Sequence, residues 1–227
     1  MAALPQEVAA VEAAFTRDER PQVQIVRGGE GAEAAAAAVQ KLLAGPDPPD
    51  LICSTGFCGG LRDGLAVGDI ILASAIVNDV DERSYSVAFE TPGLDALRLA
   101  LTEARVRHHA GALVSAGAVV KRREEKRKLG IATNALGVDM ESYAIARSAG
   151  GEAAVFALRV VSDTVDDELP DAVDTFLDEQ GRVRVGSVAR FALSGVGHTK
   201  VLLDMKRNVD KATAALTAAW RAVWRAM

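Results

Sequence analysis

Leu158-Arg159-Val160-Val161-Ser162-Asp163 ends a run that is apolar from Ala153 to Val161 except for Arg159. Such a run predicts a buried strand that emerges at Ser162 and Asp163. Just before it lies Gly137-Val138-Asp139-Met140-Glu141-Ser142, and then a small-residue run, Ala144 to Ala149, that reads as a helix. One acid at the C-terminal edge of a strand and another at a nearby helix start form the pattern of a polar small-molecule site in an α/β sheet. Arg159 strengthens it. A cation inside an apolar strand must be paired or functional, and Glu141 or an anionic group on a substrate would serve as partner.

Working outward, strand and helix patterns alternate. Pro5-Gln6-Glu7 opens a helix from Val8 to Phe15, with proline in the first turn where its missing N–H costs least. Gln22 to Val26 reads as a short strand, and an alanine-rich helix from Ala32 to Leu43 follows a glycine turn. Leu51-Ile52-Cys53 reads as a central strand that breaks at Thr55-Gly56-Phe57-Cys58-Gly59-Gly60. Further strands are expected over Ile70 to Val77 and Ala112 to Val120, with a helix from Thr91 to Arg107 between them. Lys121 to Lys128 is a solvated charge run at the start of a short helix. The alternation predicts an α/β fold, a three-layer sandwich around a central mixed sheet, forming a single domain over 1–227.

The C-terminal stretch, 199–227, has one apolar face: Leu202, Met205, Val209, Ala212, Leu216, Ala219, Val223 and Met227 recur every three or four residues. Packing on the domain or on a second subunit is the simpler expectation. Lys206, Arg207, Lys211, Arg221 and Arg225 also allow contact with a membrane surface, which Asp204 and Asp210 weaken.

Composition narrows the function. A net charge of −5 and 4% aromatic residues disfavour a nucleic-acid groove. No apolar stretch approaches the roughly 18 residues of a membrane span, and no signal peptide is visible, so a cytoplasmic protein is expected. Cys53 and Cys58 form no zinc pattern with His108, His109 or His198; one buried and one loop thiol are expected. Gly28-Gly29-Glu30-Gly31 could cradle phosphate or simply turn the chain, and Glu30 argues against an anion. Gly56, Gly59 and Gly60 could line a ligand or reverse the chain. Asp166-Asp167-Glu168 reads as a solvated loop.

Val138-Asp139-Met140-Glu141-Ser142 followed by Arg159-Val160-Val161-Ser162-Asp163 resembles the signature of the nucleoside phosphorylase and nucleosidase superfamily. Thr55-Gly56-Phe57-Cys58-Gly59-Gly60-Leu61 and Val67-Gly68-Asp69-Ile70 resemble its glycine loop and the next strand, and the order holds from about Gln6 to Asp163. The resemblance implies a nucleoside phosphorylase-like fold and cleavage of the N-glycosidic bond of a purine nucleoside or adenosyl derivative. It implies Met140 beneath the sugar, Glu141 on ribose hydroxyls, and Asp163, beside Ser162, supporting protonation of the purine at N7. Arg159 would pair with Glu141 or touch the nucleophile. Gly59, Phe57 and the Val119-Val120 step would line the substrate.

The departures shape the expectations. The methylthioadenosine/S-adenosylhomocysteine nucleosidases carry a water-handling Glu near the N-terminus; the matching position is read as Gln6, with Glu7 next to it. Gln cannot act as a base, so either the register is off by one or phosphate is the nucleophile. Hydrolysis and phosphorolysis both stay open, with a slight tilt to phosphorolysis, inorganic phosphate as co-substrate, no other cofactor, and Arg27 and Arg62 as nearby cations. Phe57 stands where smaller residues are usual. Val120-Lys121-Arg122-Arg123-Glu124-Glu125-Lys126 is similar to the hopanoid-biosynthesis phosphorylases, which act on adenosyl-lipid adducts. A homodimer is expected. The alternative is a catalytically impaired nucleoside-binding protein of the same fold.

Overall fold

A computed structural model describes residues 1–19, 23–79, 84–86, 91–178 and 180–227. Its centre is β6 (Ala154–Asp163), which lies parallel to β1 (Leu51–Gly60) from Leu51↔Ala154 to Gly59↔Asp163. Alternation along β6 divides the core in two. Val155, Ala157 and Val161 pack with α2 (Ala32–Leu43) and α5 (Ser142–Ala149). Phe156, Leu158 and Val160 pack with α1 (Pro5–Glu12), α3 (Thr91–Glu103) and α7 (His198–Trp224). Helices therefore cover both faces of a central mixed sheet.

The sheet also contains β2 (Ile70–Asn78), β3 (Ser84–Ser86), β4 (His108–Ser115) and β5 (Ala135–Asp139), in the order β3-β2-β4-β5-β1-β6. β2 also pairs antiparallel with β6 at Ile70 to Leu72, so the sheet curls back on itself. Gly59 marks the junction of three strands, opposite Val138 of β5 and Asp163 of β6.

Several expected boundaries move. β1 runs through the glycines to Gly60 rather than breaking at Thr55. The glycines neither reverse the chain nor form a loop; they let side chains pack directly over the strand. A Cβ on Gly56 would sit 2.4 Å from the Glu7 carboxylate, and one on Gly59 would sit 3.1 Å from that of Asp163. Cys53 and Cys58 both lie on this strand, so neither is a loop thiol. Burial pushes the Cys53 thiol up to about 12 and Cys58 higher still, which keeps both unreactive. β4 ends at Ser115, and 116–120 leave the sheet. α3 stops at Glu103, where Arg105 takes a left-handed φ of 56°. Of the strand expected at Gln22 to Val26, Gln22 lies outside the described residues and Val23 to Val26 form no strand. Its ladder partner, Ala2, leads at once into the turn before α1, so only the Ala2–Arg27 bridge forms. Four elements are absent from the sequence reading: β3, β5, α6 (Val185–Leu193) and a 3-10 turn at Asp171–Thr175.

The long tail helix packs on its own domain. Ala212, Leu216, Ala219, Trp220 and Val223 are buried, and Thr217 donates to the Ala10 carbonyl at 2.9 Å. Among the described residues, no helix is long and apolar enough to cross a membrane. Trp220 Nε1 donates to Thr55 Oγ1 at 2.9 Å and fastens α7 to β1. Trp220→Phe should cost about 0.5–1.5 kcal/mol in a denaturant titration by losing that bond.

Candidate active site

The site lies at the C-terminal ends of β1, β5 and β6, where strands of an α/β sheet release their polar residues. A cavity of about 180 Å³ opens there. Asp163, Glu141, Met140, Arg159, Ser162, Phe57, Gly59, Val119 and Val120 all line it. Gln6 does not; Glu7, one position on, does.

Glu7 occupies the third position of α1, and helical spacing puts it on the face of Ala10 and Val11, which is buried. Its Oε2 accepts from the N–H groups of Ala3 and Leu4 at 2.9 and 2.8 Å, and its Oε1 accepts from Phe57 N–H at 2.7 Å. Three donors leave one lone-pair site for another partner. Burial raises the Glu7 pKa, against the pull of Arg159 and the three N–H groups. A buried carboxylate with a raised pKa and a spare lone pair is suited to accepting a proton.

Glu141 stands just before α5. Its Oε1 accepts from Gly31 N–H at 3.0 Å, so the Gly28–Gly31 turn holds a protein carboxylate and is not a free phosphate cradle. Its Oε2 faces Arg159 at 3.3 Å. Burial again raises the pKa, Arg159 lowers it, and neighbouring Asp139 raises it.

Arg159 reaches this cluster because alternation along β6 points it to the α5 side. Its guanidinium binds Asp139 at 2.8 Å, Ser54 Oγ at 2.9 Å and the Phe57 carbonyl at 3.4 Å. Burial disfavours its charge, yet Asp139, Glu141 and Glu7 more than offset this and hold the pKa above its usual value. Asp139 is fixed in turn by Ser115 Oγ at 2.6 Å and by the Ser142 hydroxyl. The arginine thus braces Glu141 from within the protein. The other two candidate cations point elsewhere. Arg27 donates to the Gln180 carbonyl at 3.2 Å; Arg62 donates to the Ala135 carbonyl at 3.1 Å and to Asn134 at 2.7 Å.

Asp163 closes the far end. Ser162 Oγ donates to its Oδ1 at 2.8 Å, and Lys126 Nζ donates to its Oδ2 at 2.5 Å. Lys126 is fully buried, although the sequence reading assigned it to a solvated charge run. Ala118, Val119, Val120 and Leu169 give the cavity an apolar wall that suits a flat ring. Among the described residues, no group of three or more His, Cys, Asp or Glu could hold a metal.

Comparison with known proteins bears on the family and the fold. The model of the family described as "Phosphorylase superfamily" matches residues 6–193. A 5'-methylthioadenosine/S-adenosylhomocysteine nucleosidase of Staphylococcus aureus is 27% identical over 173 residues, 70% of this chain and 75% of its own. A crystal structure of the nucleosidase of that name from Neisseria meningitidis, in complex with methylthio-immucillin-A, superimposes with a TM-score of 0.71 at 18% identity, covering 100% of this chain and 97% of its own. A mutant of the Helicobacter pylori protein, with 5'-methylthioadenosine in the active site, gives 0.72 at 13% identity and covers 100% and 96%. At these identities the structural likeness speaks for the fold.

Proposed function

Because the chain belongs to the phosphorylase superfamily, we propose that it cleaves the N-glycosidic bond of an adenosine derivative with water and releases adenine. The observation that carries this reading is the carboxylate of Glu7 in one cavity with Glu141 and Asp163. Glu7 takes a proton from the attacking water. Glu141 accepts from ribose hydroxyls and, as an anion, favours the positive charge that grows on the sugar. Asp163 passes a proton to the departing base, which is a poor leaving group as an anion. The relatives named for 5'-methylthioadenosine and S-adenosylhomocysteine suggest a 5′-thio-substituted ribose as the substrate class.

Glu7 in the cavity, in place of Gln6, favours water over phosphate as the nucleophile. Phosphate needs cations at the nucleophile side, yet Arg27 and Arg62 are committed to backbone carbonyls and Arg159 to Asp139 and Glu141. The test is incubation with 5′-methylthioadenosine, S-adenosylhomocysteine and adenosine, with and without phosphate. Adenine should form at the same rate in both, with free reducing sugar as co-product. A phosphate requirement with ribose 1-phosphate as product overturns the hydrolytic reading. Glu141→Gln should lower kcat/KM roughly 10- to 150-fold, the value of about 1.5–3 kcal/mol for hydrogen bonds to a charged group. On 2′- and 3′-deoxy analogues the variant should fall much less, since the bonds it weakens are already missing.

A further inference from the structure

Lys126 has no place in the scheme above, yet it is among the most deeply buried side chains of the protein. It projects from α4 (Arg123–Thr133) and spends all three ammonium protons: on Asp163 Oδ2 at 2.5 Å, the Thr164 carbonyl at 2.9 Å and the Asp167 carbonyl at 2.8 Å. Burying an ammonium is costly unless every proton is matched. α4 comes close enough because residue 130, one turn on, is glycine; a Cβ there would meet the Leu61 carbonyl oxygen at 2.7 Å. Both Asp163 oxygens accept hydrogen bonds, Oδ1 from Ser162 and Oδ2 from Lys126, so any proton it passes on must come from a partner.

We propose that Lys126 is a positioning residue that acts through Asp163 and supplies the proton for the leaving base. This rests on the nucleosidase reading. The C1′–N9 bond breaks with its electron pair going to adenine. N7 of the base takes a proton from Asp163, and Asp163 takes one from Lys126 Nζ. Lys126 is left as a neutral amine with two N–H groups, which the Thr164 and Asp167 carbonyls continue to bind. Water adds to C1′ and gives one proton to Glu7, which releases it to solvent. Lys126, fully buried, regains a proton through Asp163, whose side chain is 14% exposed, once adenine has left. The sum is nucleoside plus water giving adenine plus free sugar.

The charges around the ammonium fit this assignment. Among the described residues Asp163 is its one carboxylate contact, since the Asp167 carboxylate is occupied by Thr164 N–H and Oγ1 at 2.8 and 2.7 Å. Arg123 and Arg127 on the same helix point outward to Asp166 and Asp63, and Cys58 lies near Asp163 as a neutral thiol. Glu7, Asp139, Glu141 and Arg159 lie along the rest of the cavity wall.

The test compares two leaving groups. A 5′-thio-substituted adenosine needs its base protonated; the corresponding p-nitrophenyl riboside does not, because nitrophenolate leaves unaided. Lys126→Gln keeps a neutral donor and should lose about 10²-fold or more on the adenosine substrate, while staying within about tenfold of wild type on the nitrophenyl riboside. Lys126→Arg should recover part of the loss. Equal loss on both substrates makes Lys126 merely structural and overturns the proposal, as does no loss on either. If the variants do not fold, the wild-type enzyme decides. The ratio of the two rates should stay level from about pH 5 to 8, whereas a lone carboxylic acid donor would make it fall about tenfold per pH unit. Absence of any cleavage by wild type defeats the nucleosidase reading itself, and this proposal with it. Wild-type cleavage with parallel losses in the variants defeats only the role of Lys126.

Discussion

Glu7→Gln is expected to lower kcat about 10²–10⁴-fold on a 5′-thio-substituted adenosine, the usual contribution of a positioned base. The amide keeps an oxygen for Phe57 N–H, but its NH₂ cannot accept from Ala3 and Leu4 as Oε2 does. Some stability is therefore lost as well, at roughly 1–3 kcal/mol for buried N–H groups left without an acceptor. Kinetics must be measured well below the melting temperature. KM should change little, because in the proposed reaction the carboxylate acts on the water and not on the base or the ribose hydroxyls.

Gly56→Ala tests the same group without touching it. The Cβ would lie 2.4 Å from Glu7 Oε1, at a φ of +147° that side chains rarely adopt. The carboxylate must move, and kcat should collapse with Glu7 still present. The pH profile gives a third view. Glu7 works only when ionised, and its pKa is raised by burial. Activity is therefore present above that raised value and lost as pH falls through it, with a midpoint above that of an ordinary glutamate. A Glu7→Gln enzyme with wild-type kcat, or an acid limb that survives in that variant, removes Glu7 from the reaction.

The contrast between Glu7 and Lys126 explains what the sequence could disclose. Strands such as Ala154–Asp163 were legible because alternating apolar residues mark both faces, and the two acids at element ends followed from that pattern. Glu7 was within reach: Glu7, Ala10, Val11 and Ala14 share a helical face, and the last three are small or apolar. The neighbouring glutamine was read in its place because a motif with one residue of slack cannot fix register. Lys126 was not legible. Its neighbours are all charged, and only the backbone approach allowed at Gly130 turns that helix face inward. The course of β1 was missed for a related reason. Glycines ordinarily weaken a strand, and here they persist because carboxylates from α1 and β6 occupy the space their side chains would take.

Arg159→Met should be the most destabilising single change in the site. The side chain is 2% exposed, and it neutralises Asp139, itself 1% exposed, and Glu141, 10% exposed. Its own charge is costly to bury, so the pair is no great source of net stability. Removing one partner is another matter, because two carboxylates then face each other with no cation in a dry interior. The expected cost is roughly 3–5 kcal/mol, which corresponds to a fall in Tm of about 6–20 °C for a chain of this size. The direction of the raised Glu141 pKa predicts how the damage varies with pH. Without Arg159 that pKa should rise further, so the variant should be relatively better folded at acid pH, where Glu141 is protonated, and should lose stability as pH rises through the new value. Adding Asp139→Asn to Arg159→Met should restore part of the loss, because one unpaired charge is gone. An Arg159→Met protein that melts within about 2 °C of wild type at neutral pH, or a double variant less stable by the simple sum of the two single losses, would show that the cluster is not electrostatically coupled.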